Sequence, residues 1–373
     1  MEDVDPILDD LRELVQRESP SDEADRVSAL AHWICGRLNR PGDVIARTVA
    51  CPLRGNAVVA TLGGTPATDR ADSGPSTLLL GHIDTVWPSG TLRELPFWRD
   101  GDVVRGPGVF DMKAGVAVAI HVLDRLRGRE SPPQVTLLLV PDEEVGSSAS
   151  RPLLIELAKQ HDRVLVLEPS APGGAAKVAR KGTGLFRFNF TGISSHAGLE
   201  PEKGASALKA LAEFVVAAPG FESRDAGTTV TPTLASAGTK TNVVPENAEV
   251  AVDCRVWSKA EALRVETALR AWRPLDPRVG VEMQGSFDRP PLEETEASRA
   301  LFAKAREIAA GLGLDLRGDR VGGASDGNLT GAAGVTTLDG LGPMGDGAHA
   351  RHEHVVIADL VRRVDFIERL VLA

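Results

Sequence analysis

The chain has 373 residues, of which 42% are hydrophobic and 25% charged, and its formal net charge is −10. This length and composition predict a globular protein with two domains, and the acidic balance argues against nucleic acid as the main partner, because phosphate binding needs a basic face. No apolar run approaches the ~18 residues of a membrane span, and the acidic N-terminal segment lacks the basic start and apolar block of a signal peptide, so we expect no membrane partner.

The chain has three cysteines, Cys35, Cys51 and Cys254, and none of them forms a CxxC pair. The sequence therefore predicts neither a thiolate zinc site nor a disulfide framework. We expect buried, inert thiols in a reduced, cytoplasmic protein.

The first 180 residues alternate between helical and strand-like patterns. Apolar periodicity predicts helices over residues 7–16 and 22–38, with Ser21 or Asp22 as the cap of the second helix. The segments that follow are the strands NAVVATL and STLLLGHID, separated by a polar loop over residues 63–76, then the helix AGVAVAIHVLDRLRGR and the strands QVTLLLVPDEE and DRVLVLEPS. Apolar strands alternating with helices predict a mostly parallel, covered sheet.

A different pattern begins at residue 182, where GLFRFNFTG alternates apolar and polar residues as a strand with one buried face does. The next predicted elements are a helix over 203–217, strands near 228–238 and 248–257, a helix over 259–272 and a strand near 278–286, in the order βαββαβ. A helix over 297–311 and apolar strands mixed with glycines then follow. We therefore predict an α/β domain with a mostly parallel mixed sheet, formed by residues 1–181 and 289–373, and an inserted α+β domain of residues 182–288.

Side chains of the types that bind metals follow the predicted strands. In an extended segment residues i and i+2 point the same way, so His82 and Asp84 project together from the end of a buried strand. The other candidates are Asp111, Asp142, Glu143, Glu144 and Glu168, with His349, His352 and His354 near the C-terminus. In open α/β sheets, functional residues collect beyond the carboxyl ends of the strands.

Several carboxylates that converge on one point would repel each other and raise one another's pKa. Divalent cations among them would allow all of these carboxylates to stay ionised. Imidazole and carboxylate ligands without thiolates suit zinc, and cobalt or manganese are possible as well.

Seven segments carry a resemblance to a known family. In chain order they are LLLGHIDTVWPSGTLRELPF, DGDVVRGPGVFDMKAG, PDEEVGS, VLEPS, TGISSHAGLEPEKGASA, TNVVPENAEVAVDCR, and GGASDGN with DGLGPMGDGAHARHE. Together they resemble the dizinc exopeptidase family of glutamate carboxypeptidases, aminoacylases, acetylornithine deacetylase and succinyl-diaminopimelate desuccinylase, and most of all its glutamate carboxypeptidase branch. The resemblance covers nearly the whole chain. It implies that residues 1–181 and 289–373 form a zinc-exopeptidase-like catalytic domain and that residues 182–288 form a lid and dimerisation domain.

By this resemblance the chain binds two zinc ions through five ligands, which are His82, Asp111, Glu144, Glu168 and His349. Asp111 would bridge the two ions and precede a cis peptide bond to Met112. His82 and Glu168 would be the other protein ligands of the first ion, and Glu144 and His349 those of the second. The remaining histidines, His352 and His354, are expected at the surface.

The resemblance also assigns catalytic roles. Asp84 would accept a hydrogen bond from the other ring nitrogen of His82 and so orient the ring. Glu143 would be the general base that takes a proton from the attacking water and passes it to the leaving amine. His196 would stabilise the oxyanion of the tetrahedral intermediate. A serine triad containing Ser195 and His196 is a poor alternative, because the chain has no nucleophile-elbow GxSxG.

For the substrate, Asn242 and Arg255 match family positions that hold a carboxylate or carbonyl, and the GGASDGN segment resembles one that lines the substrate pocket. Arginine suits this task because its planar fork pairs with a carboxylate through two hydrogen bonds. An ion pair on the lid surface is the alternative for Arg255. Arg180 and Lys181 could line the lid hinge or face solvent.

Three functions are compatible with the sequence. The first is a dizinc metallohydrolase, a carboxypeptidase-like enzyme that releases a C-terminal, possibly acidic, amino acid from a peptidyl or acyl group. The second is an aminoacylase or deacetylase acting on an N-acyl amino acid. The third, a metal-stabilised binding protein without catalysis, has no need of Glu143 or His196. A homodimer through the lid domain is expected, with an N-acyl amino acid or short peptide as the partner molecule.

Overall fold

The computed structural model describes residues 4–39, 43–63 and 74–373. Most of the predicted polar loop over residues 63–76 lies outside these described residues. The chain divides into two compact units. The first contains the described residues up to Ala179 together with Glu294–Val321 and Ser325–Ala373, and the second contains Arg180–Glu293 and Gly322–Ala324.

The helices of the described chain are α1 (Asp5–Gln16), α2 (Ala24–Leu38), α3 (Ala114–Leu126), α4 (Arg151–Lys159), α5 (Ala207–Ala217), α6 (Lys259–Ala271), α7 (Glu296–Ala310), α8 (Asp326–Ala332) and α9 (Ile357–Leu372). The strands are β1 (Ile45–Cys51), β2 (Gly55–Leu62), β3 (Thr77–His82), β4 (Trp98–Asp100), β5 (Val103–Arg105), β6 (Val135–Val140), β7 (Arg163–Val166), β8 (Ala176–Arg180), β9 (Gly182–Thr191), β10 (Thr229–Ala237), β11 (Asn247–Val256), β12 (Gly280–Arg289), β13 (Gly318–Val321), β14 (Thr336–Leu338), β15 (Gly345–Asp346) and β16 (His354–Val356). None of the helices in the described ranges is long and apolar enough to cross a membrane.

The first unit is built on a six-stranded sheet in the order β1-β2-β6-β3-β7-β14. The pairs β6–β3, β3–β7 and β7–β14 are parallel, and β1–β2 and β2–β6 are antiparallel. Strand β3 is buried along its whole length. Its Leu79 packs in the core that contains residues of α1, α3 and α9, whereas Leu78 and Leu80 pack in the core that contains residues of α4 and α8. The continuous apolar run in the sequence is therefore explained by a strand covered on both faces.

The second unit is a four-stranded antiparallel sheet in the order β10-β11-β9-β12. Alternate residues of β9, Phe186, Phe188 and Phe190, are buried in one core with residues of α5 and α6, while Leu185, which precedes them on the opposite face, is 62% exposed. The element order β9-α5-β10-β11-α6-β12 is the predicted βαββαβ. The mixed α/β fold class predicted from the sequence is confirmed.

Some elements differ from the prediction. Ser21 and Asp22 do not cap α2, which follows Glu23 without a side-chain cap, because the Ser21 hydroxyl is used elsewhere, as described below. The C-terminal segment was expected to contain strands mixed with glycines, but it ends in the 16-residue helix α9. Apolar residues at helical spacing, Leu360, Val364, Ile367 and Val371, are the buried face of that helix.

Candidate functional site

Three neighbouring parallel strands of the first unit bring the candidate side chains to one edge of the sheet. His82 is the last residue of β3 and pairs with Val140 of β6, three residues before Glu143. On the other side, Leu80 pairs with Val166 of β7. The same register places Glu168, two residues further on, level with His82. The sequence-based expectation that these residues meet beyond the carboxyl ends of the strands agrees with this register.

The Asp111 carboxylate lies between two histidines. His82 Nε2 is 3.2 Å from Asp111 Oδ1 and 3.5 Å from Glu168 Oε1. His349 Nε2 is 3.3 Å from Asp111 Oδ2 and 3.1 Å from Glu144 Oε2. Each oxygen of Asp111 thus faces a different histidine, and each histidine has a glutamate beside it. This is the arrangement expected of a carboxylate that bridges two cations.

The same contacts shift the pKa values of the histidines and of Asp111. Hydrogen bonds to Asp111 and Glu144 raise the pKa of His349 to about 10. Burial opposes the charged form of His82, but hydrogen bonds to Asp111 and Asp84 outweigh it and raise the pKa of this imidazole. Burial likewise opposes ionisation of Asp111, but His349 and His82 hold the pKa of its carboxyl well below the usual range. The cluster therefore attracts positive charge strongly.

Two sets of side chains within the described ranges have ligand atoms that lie within 4.8 Å of one another. One set is His82, Asp111 and Glu144, and the other is His82, Glu143 and Glu168. Imidazole nitrogen and carboxylate oxygen are donors that suit zinc, manganese or cobalt. The donor set therefore fits a divalent metal. Glu143, predicted as a base, lies close to the ligands of one set.

Asp84 holds the turn that carries the two adjacent glutamates. Its carboxylate is fully buried and accepts hydrogen bonds from the backbone N–H groups of Glu143 (3.1 Å) and Glu144 (3.2 Å). The Ser21 hydroxyl donates a third hydrogen bond at 2.7 Å. His82 Nδ1 lies 3.0 Å from the Asp84 carbonyl oxygen and 3.4 Å from its carboxylate oxygen Oδ1. Asp84 thus links His82 to the glutamate turn, in addition to its predicted contact with the imidazole.

The turn that carries Asp111 is fixed by close packing. The peptide bond between Asp111 and Met112 is cis, as expected from the family resemblance. At Gly115, in the first turn of α3, a Cβ atom would lie 2.1 Å from the carbonyl oxygen of Leu167. Only glycine allows this approach of the Asp111 turn to the chain beside Glu168. The sequence analysis did not single out this glycine, because a glycine in a helical pattern carries no sign of its neighbours.

Asp142, one of the candidates at the strand ends, does not join the cluster. It is fully buried and accepts hydrogen bonds from the backbone N–H of Ala149 (2.8 Å) and from the Ser150 hydroxyl (2.5 Å). Asp142 therefore holds the chain that leads into α4. Glu143 and Glu144 then lie in one turn of 3-10 helix rather than in an extended strand end. Their side chains still diverge, because successive residues of a helical turn point in different directions.

The histidines after His349 lie at or near the surface. His352 is exposed and His354 is partly exposed, with its Nδ1 3.0 Å from the carbonyl oxygen of His352. His349 itself has a half-exposed side chain and a left-handed backbone with φ of 62°. It projects from a tight turn, where its imidazole reaches Asp111 and Glu144 as described above.

Most of the GGASDGN segment is buried rather than exposed to a pocket. The Ser325 side chain caps α8 and donates to Asp339 at 2.5 Å, and Asp326 accepts from the Ser147 hydroxyl. Ser325, Asp326 and Asn328 are all buried. Within this segment Gly322 and Gly323 are exposed, whereas the polar side chains form internal hydrogen bonds.

Arg180 and Lys181, the two basic residues at the start of the second unit, both contact other residues of the protein. Arg180 is buried and donates to the carbonyl oxygen of Gly323 at 3.3 Å. Lys181 donates to the carbonyl oxygen of Gly227 and lies 5.4 Å from the centre of the Trp257 ring. Both contacts lie within the second unit.

His196 and Asn242 are neighbours in the second unit. His196 pairs with Val243 as an isolated bridge, and the N–H of Ala197 donates to the Asn242 carbonyl oxygen at 2.9 Å. The exposed His196 accepts hydrogen bonds at Nδ1 from the N–H groups of Gly198 and Leu199, both at 3.1 Å. Since Nδ1 is an acceptor, the neutral ring carries its proton on Nε2. His196 is therefore a hydrogen-bond donor toward solvent.

Arg255 lies far from this pair. It is the second-last residue of β11, whereas Asn242 precedes the start of that strand at Asn247. Eight residues of strand separate Asn247 from Arg255, about 26 Å at the usual rise. The Arg255 guanidinium donates to both carboxylate oxygens of Asp253, at 2.8 and 2.9 Å, and to Thr183 Oγ1 at 3.0 Å. The structure thus brings His196 and Asn242 together but not Arg255.

The cluster has the donors of a divalent-metal site, and comparison with known proteins identifies the class of protein. Residues 78–373 match the sequence family described as peptidase family M20/M25/M40. The chain belongs to this family of metal-dependent hydrolytic enzymes. The prediction of an enzyme of the carboxypeptidase and deacylase family is thereby confirmed.

Several members of the family are similar over most of their length. Carboxypeptidase G2 from Pseudomonas sp. is 29% identical over 377 residues, covering 98% of this chain and 88% of that protein. A succinyl-diaminopimelate desuccinylase from Alkalilimnicola ehrlichii is 31% identical over 320 residues, covering 78% and 82% respectively. The crystal structure of aminopeptidase PepT from Bacillus cereus superposes with a TM-score of 0.81 at 19% identity, covering 99% of this chain and 98% of that one.

Proposed function

We propose that the chain is a dizinc amidohydrolase that releases a C-terminal amino acid from a peptidyl or acyl group. The observation that carries this proposal is the Asp111 carboxylate, whose two oxygens each face a histidine with a glutamate beside it. His82, Asp111 and Glu168 would hold one ion, and Asp111, Glu144 and His349 would hold the other. When bound, two such cations acidify a water and polarise a carbonyl.

Glu143 is the general base of this proposal. It belongs to a set of side chains with His82 and Glu168, whose ligand atoms lie within 4.8 Å of one another. Its backbone is fixed by the hydrogen bond to Asp84. From this position Glu143 accepts a proton from the attacking water and delivers it to the leaving amine.

The second unit supplies an oxyanion donor from another copy of the chain. His196 carries its proton on Nε2 and is exposed, as a donor to a developing negative charge must be. Asn242 precedes Asn247, which is about 26 Å from Arg255 along β11, so within one chain Asn242 and Arg255 cannot both contact one small substrate. We therefore assign His196 and Asn242 to the active site of one protomer and Arg255 to that of the other in a homodimer. Residues 182–288 would then act as the lid and dimerisation domain.

A second candidate function is the removal of an acyl group from an N-acyl amino acid. It is favoured by the relative named succinyl-diaminopimelate desuccinylase, which is 31% identical to this chain. Both candidates cleave the same type of bond, so the substrate pocket decides between them.

A cytoplasmic location stays a prediction from the cysteine content.

The test is release of amino acids from a matched panel of N-acyl-glutamates, N-succinyl amino acids and dipeptides. Protein stripped with a chelator, then reloaded with zinc, should regain hydrolysis that the stripped sample lacks. Preference for acyl-glutamates supports the carboxypeptidase-like function, and preference for succinyl substrates supports the second candidate. Zinc-loaded protein that hydrolyses none of the panel would contradict both.

A further inference from the structure

Glu353 is a buried carboxylate that none of the roles above uses. It is only 3% exposed and lies four residues after His349 in the chain. Burial raises the pKa of its carboxyl, while hydrogen bonds from the backbone N–H groups of Asp111, Gly108 and Phe110 oppose this shift. A buried acid with such partners needs a structural or functional explanation.

The Glu353 carboxylate accepts four hydrogen bonds from N–H donors, three of them in the turn that carries Asp111. Oε1 accepts from the backbone N–H of Phe110 at 2.9 Å and of Asp111 at 3.0 Å. Oε2 accepts from the backbone N–H of Gly108 at 2.8 Å and from Trp87 Nε1 at 2.8 Å. Each oxygen therefore faces two donors, which is the geometry that suits the ionised carboxylate.

The backbone of Glu353 belongs to the turn that carries His349. Its N–H donates to the Ala350 carbonyl oxygen at 2.9 Å, and the Ala350 N–H donates to Gly347 at 2.8 Å. Gly347 has φ of 80°, and a Cβ atom there would lie 2.9 Å from the Glu353 nitrogen. The turn thus closes tightly against Glu353. The His349 side chain, in contrast, is half-exposed.

We propose that Glu353 is the positioning residue that joins the Asp111 turn to the His349 turn and so sets the spacing of the second metal site. Its side chain holds the backbone of one ligand turn, and its main chain closes the other. Glu353 does not transfer protons, because both of its oxygens are occupied by N–H donors. This inference rests on the proposed dizinc function. It predicts that the ion held by Asp111, Glu144 and His349 depends on Glu353 more than the other ion does.

The test uses Glu353→Gln, which keeps the shape of the side chain but places an NH2 group opposite two N–H donors. Zinc affinity is measured with a competing chelator, together with unfolding by urea. We expect two tight equivalents in the wild type and a loss of at least about tenfold in the affinity of one equivalent in the variant, the usual effect of removing a group that orients metal ligands. A change confined to the urea midpoint, with both affinities intact, would overturn the proposal.

Two controls separate this role from a general effect of charge or packing. Glu94→Gln removes an exposed acid that pairs with Arg351 in the same turn and should leave both zinc affinities unchanged. Trp87→Phe removes one donor to Glu353 without touching the link between the turns, so its effect should be smaller than that of Glu353→Gln. An equal loss of affinity in Glu94→Gln and Glu353→Gln would overturn the positioning role.

If Glu353→Gln does not fold, hydrogen exchange of the wild type decides the question. The amides of Gly108, Phe110 and Asp111 should be protected in the metal-free protein, because Glu353 accepts their hydrogens. Exchange of all three at the rate of unstructured amides would overturn the proposal. A wild type that binds fewer than two zinc ions would instead contradict the proposed dizinc function and not the link between the two turns.

Discussion

The carboxyl edge of the first unit's sheet and the His196 segment of the second unit offer two kinds of functional residue. At the sheet edge, His82 is 1% exposed and Glu168 follows a fully buried strand. His196, in contrast, is exposed and lies next to Asn242 in a segment held by a few backbone hydrogen bonds. The first set is fixed by the packing of its own unit. The second is exposed, and in the proposed homodimer it would belong to the active site of the partner protomer.

The largest expected effect concerns the bridge at the sheet edge. Asp111→Ala should lose both zinc ions and all measurable hydrolysis, because Asp111 faces both histidines. Metal analysis after loading with excess zinc checks this. A variant that keeps one tight equivalent would show that Asp111 serves a single ion.

His196→Ala should leave the sheet edge intact. We expect two zinc ions, an unchanged unfolding midpoint and a kcat lower by about 10²–10³-fold, the usual worth of one oxyanion donor. Loss of zinc in this variant would show that the His196 segment contributes to metal binding at the sheet edge.

Mixing subunits sharpens the same comparison. An equal mixture of Asp111→Ala and His196→Ala under subunit exchange should regain about a quarter of wild-type activity, since half of the dimers are mixed and each of these has one intact site. Native mass spectrometry confirms exchange. Mixed dimers without activity would place His196 in its own protomer's site or outside catalysis.

The second unit's core should be as strictly packed as the sheet edge, even though its functional residues are exposed. Phe188 is buried against Phe214, with ring centres 4.2 Å apart, so Phe188→Ala should cost about 3–5 kcal/mol of unfolding free energy. Its neighbour Arg187 forms an exposed ion pair with Glu249, and Arg187→Ala should cost about 1 kcal/mol or less. Urea unfolding measures both. Equal losses of unfolding free energy in the two variants would contradict a sheet with one buried and one exposed face.

The smallest effects concern the thiols. Burial raises the pKa of Cys254 to about 12, and the pKa of Cys35 and of Cys51 is also raised by burial. None of the three should react with a thiol reagent at pH 8 in the folded protein, whereas urea-unfolded protein should react at all three. The unfolded thiols ionise above about pH 8.5 and the folded ones do not, so the free energy of unfolding should fall as pH rises past that value. Rapid labelling of folded protein would show that one thiol is accessible.

The site residues whose positions depend on strand periodicity and on where strands end can be predicted from the sequence. His82, Glu143, Glu144 and Glu168 follow apolar runs, and parallel strands bring such positions to one edge whatever the loops do. The sequence does not distinguish Asp142 from its neighbours, because the hydrogen bonds to Ser150 and Ala149 depend on how α4 begins.

Contacts between distant segments are equally invisible in the sequence. The Ser21 hydroxyl donates to Asp84 across 63 positions, although local rules predict that Ser21 caps a helix. Glu353 accepts from the Asp111 turn across 242 positions. The separation of Arg255 from Asn242 could have been expected, since Asn242 precedes the predicted strand, Arg255 lies near its end, and strand length sets their distance.

In the proposed two-cation site Glu143 is the base and Glu144 is a ligand. The most direct measurement is the number of zinc ions and the kcat of Glu143→Gln beside Glu144→Gln. We predict that Glu143→Gln keeps two zinc ions while kcat falls by at least roughly 10²-fold, and that Glu144→Gln loses one ion. A Glu143→Gln variant that loses zinc while Glu144→Gln keeps both would show that the roles of the two glutamates are reversed.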